Sequence, residues 1–497
     1  MNAVEECTTG APVTRAPTQR VSPVDWAGAD PLVPARGGAC CRHPPAGNRW
    51  SDGGVVPPVS ITINPTPPET DSIPVVVATP APVLPPAPAP AAPRYRGDGL
   101  SRGRRLVYVL VLGALTALGP LTIDLYLPAF PTLEGHFGVP ESVIQLTLTG
   151  TTIGFAIGQL VMGPWSDRVG RRLPLLLATT VHILASVGAA LSDDITVLAA
   201  FRVLQGMGAA AGSVVAMAMV RDLFGGKPLV RMLSRLALVN GLAPILAPVM
   251  GSQLLRVMDW RGIFVVLAIY AVVVLAAVML WIVETLPVEH RHTGDRSVWS
   301  RYRSVLRDRV FVGVALIGGL TFAGLFSYLS ASPFLFQQVF GLNPQEYGLL
   351  FAVNSVGVVI GVQTSSLLMR CYGAQWILAS ITVVQVLSAV AMIVLASVNG
   401  SLLAVLVPLF IYIMSCGFSF PAVQVLALAS HGREAGTAAS LLGATNFGLA
   451  GLISPVVGIL GIGSAAPMAV VMLAAAGLAI VILWLVVRPR TVPGLAD

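Results

Sequence analysis

The sequence predicts an all-α integral membrane protein with twelve transmembrane helices in two pseudo-symmetric six-helix bundles. Three observations predict it. Only 11% of the 497 residues are charged and the mean hydropathy is +0.80, against roughly 25% charged residues in a soluble domain. Such a chain cannot cover a water-facing surface, so lipid is the expected solvent. Apolar runs of the length that crosses a bilayer, about 20 residues, recur twelve times. Glycine and proline positions also repeat between the two halves, as set out below.

Residues 1–104 read as a disordered, partly polyproline tail. The first 100 residues hold 20 of the 38 prolines and show no apolar periodicity. No basic n-region and apolar h-region open the chain, so a secretory signal is not expected. The first six runs cover about 107–131, 143–164, 173–192, 196–220, 232–255 and 263–283, placing one bundle in 105–283. A connector, 284–309, carries Arg291, Arg296, Arg301, Arg303, Arg307 and Arg309. The second six runs cover about 310–336, 346–369, 376–397, 402–426, 436–460 and 466–487, placing a second bundle in 310–488 before a short tail, 489–497.

The net charge of +7 falls in alternate loops. If both termini are cytoplasmic, the inner loops hold Arg168, Arg171, Arg172, Arg221, Lys227, Arg231, Arg235, the connector arginines, Arg370 and Arg433, and the outer loops hold Arg256 and Arg261. That bias is the positive-inside pattern and predicts a multi-pass protein of the cell membrane. The basic residues are not interleaved with aromatics, so no nucleic-acid partner is expected. Five cysteines, Cys7, Cys40, Cys41, Cys371 and Cys416, have no spacing of a disulfide framework or metal site and read as unpaired thiols.

A shift of 203 residues places Phe137 and Gly138 on Phe340 and Gly341, Gly154 on Gly357, Gly158 on Gly361, and Gly170 on Gly373. A shift of 207 places Gly241 on Gly448, Pro248 on Pro455, and Gly251 on Gly458. Two copies of one six-helix unit with a site between them are the layout of a rocking transporter.

Charges inside the spans are few, and each costs at least about 2.5–3.5 kcal/mol at mid-bilayer unless it faces a cavity or a partner. Asp124 sits in the first run, roughly 10 Å from its outer end at 1.5 Å per residue. A carboxyl whose protonation depends on what fills a cavity can couple proton flow to substrate flow. Arg202, at nearly the same depth in the fourth run, is the expected partner, directly or through water. The loop after the second run holds Gly163, Asp167, Arg168, Gly170, Arg171 and Arg172. It reads as a cytoplasmic gate, with Asp222 after the fourth run as a candidate acid for Arg171. Gly241, Pro244, Pro248 and Gly251 predict a bend in the fifth helix. Tyr126, Gln159, Asn240, Tyr328, Asn354, Gln363 and Asn446 are candidates for the substrate path. Apolar spans with so few charges suit a roomy amphipathic site better than a sugar or phosphate pocket.

These segments carry a resemblance. The 163–172 loop is similar to the signature loop of the major facilitator superfamily, and Arg202-Val203-Leu204-Gln205-Gly206 to its fourth-helix motif. The pattern at 241–251 resembles the fifth-helix antiporter motif, and Ile123-Asp124-Leu125-Tyr126-Leu127-Pro128 the first helix of the Bcr/CflA drug-resistance branch. The resemblance spans about 105–488 and implies the major facilitator fold, alternating access, and multidrug efflux by proton antiport. It makes Asp124 the protonatable residue, Arg202 a proton-coupling residue, and Asp167 and Arg171 members of the gate. Trp165 departs from the smaller aliphatic residues usual there. Arg370 opposite Asp167 and Ala374 opposite Arg171 imply a weaker second gate.

The expected function is proton-coupled export of amphipathic small molecules such as antibiotics; a proton-coupled carrier of one metabolite is the alternative. No metal cluster, nucleophile triad or phosphate loop points to an enzyme. The expectation is a monomer in a lipid bilayer, with protons and a small-molecule substrate as partners, no metal, and no cofactor beyond the proton gradient.

Overall fold

A computed structural model describes residues 97, 100–291, 298–431 and 434–491. The expectations for the rest of the two tails, and for Arg296 and Arg433, lie outside the described residues. Among the described residues, fourteen α-helices run in order: α1 (Arg102–Asp124), α2 (Phe130–Phe137), α3 (Glu141–Val169), α4 (Arg172–Ala190), α5 (Ile195–Leu223), α6 (Gly226–Leu254), α7 (Trp260–Trp281), α8 (Val298–Leu306), α9 (Arg309–Phe334), α10 (Pro344–Leu368), α11 (Ala374–Asn399), α12 (Leu402–Ala429), α13 (Ala435–Leu460) and α14 (Ala466–Ile482). Among the described residues, twelve spans are long and apolar enough to cross a membrane, the first running from Arg102 to Phe137 through α1 and α2.

The helix starts follow local chemistry. Ser101 caps α1 by accepting from the Arg104 N–H, so the helix begins at Arg102 rather than after Arg105. Asp194, Asp259, Asp308 and Ser401 cap α5, α7, α9 and α12 in the same way. Asn343 and Glu346 form a reciprocal capping box at the start of α10.

Within the first bundle α3 packs on α5, and within the second α10 packs on α12. Glycines permit both contacts. A Cβ at Gly158 would lie 2.9 Å from the Met207 carbonyl oxygen, and one at Gly357 would lie 2.9 Å from the Phe410 ring. The repeat read from the sequence therefore has a counterpart in packing. Between bundles, α3 meets α13 and α6 meets α10, the pair of contacts a two-fold relation demands.

The first span differs from its expected form. The sequence predicts one helix through residue 131, whereas α1 ends at Asp124 and a 3₁₀ turn (Leu127–Ala129) intervenes before α2. Pro128, which has no N–H to donate, stands in that turn. The span continues to Phe137, so Asp124 lies about 20 Å from its outer end, deeper than the sequence implies.

Candidate functional site

The break after Asp124 organises the first cluster. Ending α1 there leaves carbonyls without helical partners and a negatively polarised helix end. Arg202 of α5, fully buried, donates from Nη1 to the Thr122 carbonyl at 3.0 Å and to Gln205 Oε1 at 2.6 Å. Its guanidinium carbon stands 4.5 Å from the centroid of the Tyr126 ring and 5.6 Å from that of Phe264. Gln205 donates to Ser186 Oγ at 2.8 Å, and its carbonyl lies 3.0 Å from His182 Nδ1.

Asp124 and Arg202 make no direct pair. Among the described residues no hydrogen bond or ion pair reaches the Asp124 carboxyl, and Arg202 caps the broken end of α1 instead. Asp124 is only 5% exposed. Its side chain therefore faces protein rather than lipid. The 3₁₀ turn that follows it, Leu127–Ala129, packs against α9 and α10 of the other bundle. Tyr328 accepts from Asn354 Nδ2 at 3.2 Å, and the Tyr347 hydroxyl lies 3.0 Å from Ser332 Oγ. Asp124 thus stands one turn from the bundle boundary.

The second cluster lies at the arginine-rich end. Arg171 Nε donates to Asp222 Oδ2 at 2.9 Å, and its Nη1 donates to Ser166 Oγ at 3.0 Å and to Asp167. Thr285 Oγ1 also donates to Asp222, at 3.1 Å. The Arg171–Asp222 contact read from the sequence is present.

Glu284, just past α7, went unnoticed in the sequence. It accepts the backbone N–H groups of Arg171 and Arg172 at 2.8 and 3.0 Å, capping the start of α4. Burial pushes its carboxyl up, but bonds from the Leu286, Arg172 and Arg171 N–H groups and the nearby Arg291 outweigh that and hold it below the usual range. Gly170 makes the approach possible. Its φ is +109°, and a Cβ there would lie 2.7 Å from Glu284 Oε2.

Among the other gate candidates, Arg172 donates to the Met279 carbonyl at 2.8 Å and Arg168 is exposed. Gly163 brings α3 so near α13 that a Cβ would meet Ser440 Oγ at 2.9 Å. Trp165 packs against the apolar patch of Met162, Ala178 and Ala211. At the same end of the second bundle, His431 Nε2 lies 3.8 Å from Asp308; Arg370 and Ala374 form no ion pair among the described residues.

A cavity of about 460 Å³ runs between the bundles from Thr321 and Asn446 to Arg221, Leu428 and Gly436 at the arginine-rich end. Gln159 and Asn446 line it; Tyr126, Asn240, Tyr328, Asn354 and Asp124 do not. Asn240 is half-buried and Gln363 exposed on their helices. Beyond the cavity, Phe155 stacks on Phe447 with centroids 4.8 Å apart, and Phe447 meets Phe322 at 5.5 Å.

The opposite end is closed by bonds between bundles. Proline at 248 removes the helical bond to the Pro244 carbonyl, and Ser355 Oγ of α10 donates there at 3.2 Å. Proline at 455 frees the Gly451 carbonyl, and Thr149 Oγ1 of α3 donates there at 3.0 Å. These are the positions that the 207-residue shift relates. Pro164 likewise frees the Leu160 carbonyl near the arginine-rich end, and Tyr302 of α8 donates to it at 2.7 Å. Gln145 adds bonds to the Ser330 carbonyl at 3.1 Å and from the Gly458 N–H at 3.0 Å. At Gly251 the backbone of α6 lies against the Leu125 carbonyl. Gly241 faces Val359 of α10, 3.5 Å from where a Cβ would stand.

Comparison with known proteins agrees with this architecture. Residues 112–455 match the family model described as Major Facilitator Superfamily. The chain is 36% identical over 362 residues to the uncharacterized MFS-type transporter YdgK of Bacillus subtilis, covering 71% of this chain and 89% of that one. It is 29% identical over 372 residues to a bicyclomycin resistance protein homolog of Haemophilus influenzae, covering 73% and 91%. The fold matches the xylose transporter XylE of Escherichia coli in a partially occluded inward-open conformation, with a TM-score of 0.63, 15% identity, and coverage of 80% and 99%. A chain with twelve spans in two related bundles, matched by the family model over most of its membrane region, is a member of the major facilitator superfamily.

Proposed function

We propose that this protein is a proton-driven exporter of amphipathic small molecules, working by alternating access as a monomer in the cell membrane. Its termini and arginine-rich end face the cytoplasm in this reading. The observation that carries it is the cavity of about 460 Å³ reaching the arginine-rich end while hydrogen bonds between bundles seal the other. That is the arrangement of a carrier open to one side. The Haemophilus relative named for bicyclomycin resistance supports export, as does a cavity walled by Phe322, Phe420 and Val423 with the amides of Gln159 and Asn446.

Asp124 supplies the coupling in this reading. A carboxylate buried without a partner is costly. Binding a proton when the outer end opens removes the charge and lets the boundary against α9 and α10 close. Substrate entering the cavity loosens that packing, and the proton leaves on the cytoplasmic side. Arg202 holds the broken end of α1 in place, so Asp124 keeps its position while the bundles tilt.

The test is export from proteoliposomes under an imposed pH gradient, across a panel of unrelated amphipathic compounds. Wild type is expected to export several of them, and Asp124→Asn to lose at least tenfold in gradient-driven rate. Unchanged coupling in the asparagine variant would remove Asp124 from the mechanism. Export of a single compound alone would favour a dedicated metabolite carrier.

A further inference from the structure

The charges around the cavity restrict what enters it. Three arginines, Arg171, Arg221 and Arg301, face it, against one acid, Asp167. Asp167 is already engaged by Arg171, which also holds Asp222. Arg221, in the last turn of α5, and Arg301, on the connector helix α8, form no hydrogen bond or ion pair among the described residues. Both line the mouth, Arg221 from the first bundle and Arg301 from the connector. Deeper in, Phe322 and Phe420 pack with ring centroids 5.0 Å apart, and the polar groups there are uncharged.

The site therefore has an aromatic inner part with neutral amides and a mouth with unspent positive charge. We propose that the preferred substrate is an aromatic amphiphile carrying one anionic group, with its ring against Phe322 and Phe420 and its acid group between Arg221 and Arg301. Guanidinium forks suit the oxygens of a carboxylate, sulfonate or phosphate. A cationic amphiphile of the same shape meets like charge at the mouth and no free acid inside. Cavities lined by one sign of charge raise the local concentration of the opposite ion. This inference names the substrate class of the exporter proposed above and rests on that reading.

The experiment loads proteoliposomes with three probes of one shape: naphthalene sulfonate, naphthalene sulfonamide and naphthylmethyl-trimethylammonium. Empty liposomes give the passive leak, and efflux is driven by an imposed pH gradient. The expected order is anion above neutral above cation, with anion and cation about fivefold apart, the upper end of what one exposed ion pair contributes. An inside-negative potential should speed anion efflux. In Arg221→Gln/Arg301→Gln the anion-to-neutral ratio should fall toward one, while Arg221→Lys/Arg301→Lys should keep it above one. Size-exclusion profiles confirm that both variants fold.

A cation exported as fast as the anion by wild type, or an anion-to-neutral ratio unmoved by the double glutamine variant, would overturn the inference and leave proton-driven export standing. Gradient-driven efflux of none of the three probes, nor of the wider compound panel, would overturn export itself and this inference with it.

Discussion

The Thr149 hydroxyl donates to the Gly451 carbonyl at 3.0 Å, from α3 in one bundle to α13 in the other. That carbonyl is available because Pro455 has no N–H to offer it. Ser355 and Pro244 repeat the relationship between α10 and α6, with Pro248 as the missing donor. The prolines thus leave acceptors on the bundle boundary, and hydroxyls on the facing helices take them.

Removing both hydroxyls, in Thr149→Val/Ser355→Ala, should weaken the outer seal. Each loss costs about 1 kcal/mol. The sites are on different helix pairs and should add, giving about a thirtyfold shift toward the outward-open state. Spin labels at Thr132 and Val339, read by double electron–electron resonance in nanodiscs, should show a larger long-distance population. An unchanged distribution would show that these bonds do not hold the seal.

At the arginine-rich end, Arg171 gathers Asp167, Ser166 and Asp222. Burial works against its charge, but Asp222 and Asp167 outweigh that and hold its proton more firmly than usual. Arg171→Ala leaves two acids facing one another and should cut transport at least tenfold. Asp222→Asn, which removes one of the two acids, should cut it less. Efflux rates of the two variants in matched proteoliposomes check the order.

The Glu284 clasp on α4 should depend on pH in a defined direction. Its carboxyl sits below the ordinary value of 4.5 in the folded protein. It therefore stabilises the fold fully above that value and loses its contribution as pH falls through the depressed one. The melting temperature of wild type in detergent should exceed that of Glu284→Gln at neutral pH. The difference should shrink toward zero in acid; a gap that persists or widens there contradicts the assignment.

Helix packing predicts a further loss. At Gly206 a Cβ would run into the Thr151 carbonyl oxygen of α3. Gly206→Val should destabilise the first bundle by about 2 kcal/mol or more, seen as a lower melting temperature and less folded protein. Gly463→Val is the control, since nothing lies within 4 Å of a Cβ there; it should leave both nearly unchanged.

Much of this was legible in the sequence. Lipid demands about 20 apolar residues per crossing, which fixes twelve spans and the short loops between them. The Arg171–Asp222 contact was legible because both sit at helix ends on the same basic side. The partners of Arg202 were not. They are a backbone carbonyl and an aromatic ring, and the carbonyl is open only because α1 stops at Asp124. Pro128 hinted at a break without placing it. Glu284 was hidden by distance along the chain, since it meets Arg171 only once α7 packs beside α4. Thr149 and Ser355 look like any hydroxyls in a span until the prolines opposite them are in view.

The Tyr302 bond to the Leu160 carbonyl changes what the stretch joining the halves does. A residue belonging to neither bundle supplies a donor that α3 lacks at Pro164, which ties this stretch to the first bundle. A version cut between the halves and coexpressed as two pieces would keep that attachment, whereas a flexible replacement of matched length would lose it. Here continuity of the chain matters less than the presence of one phenol.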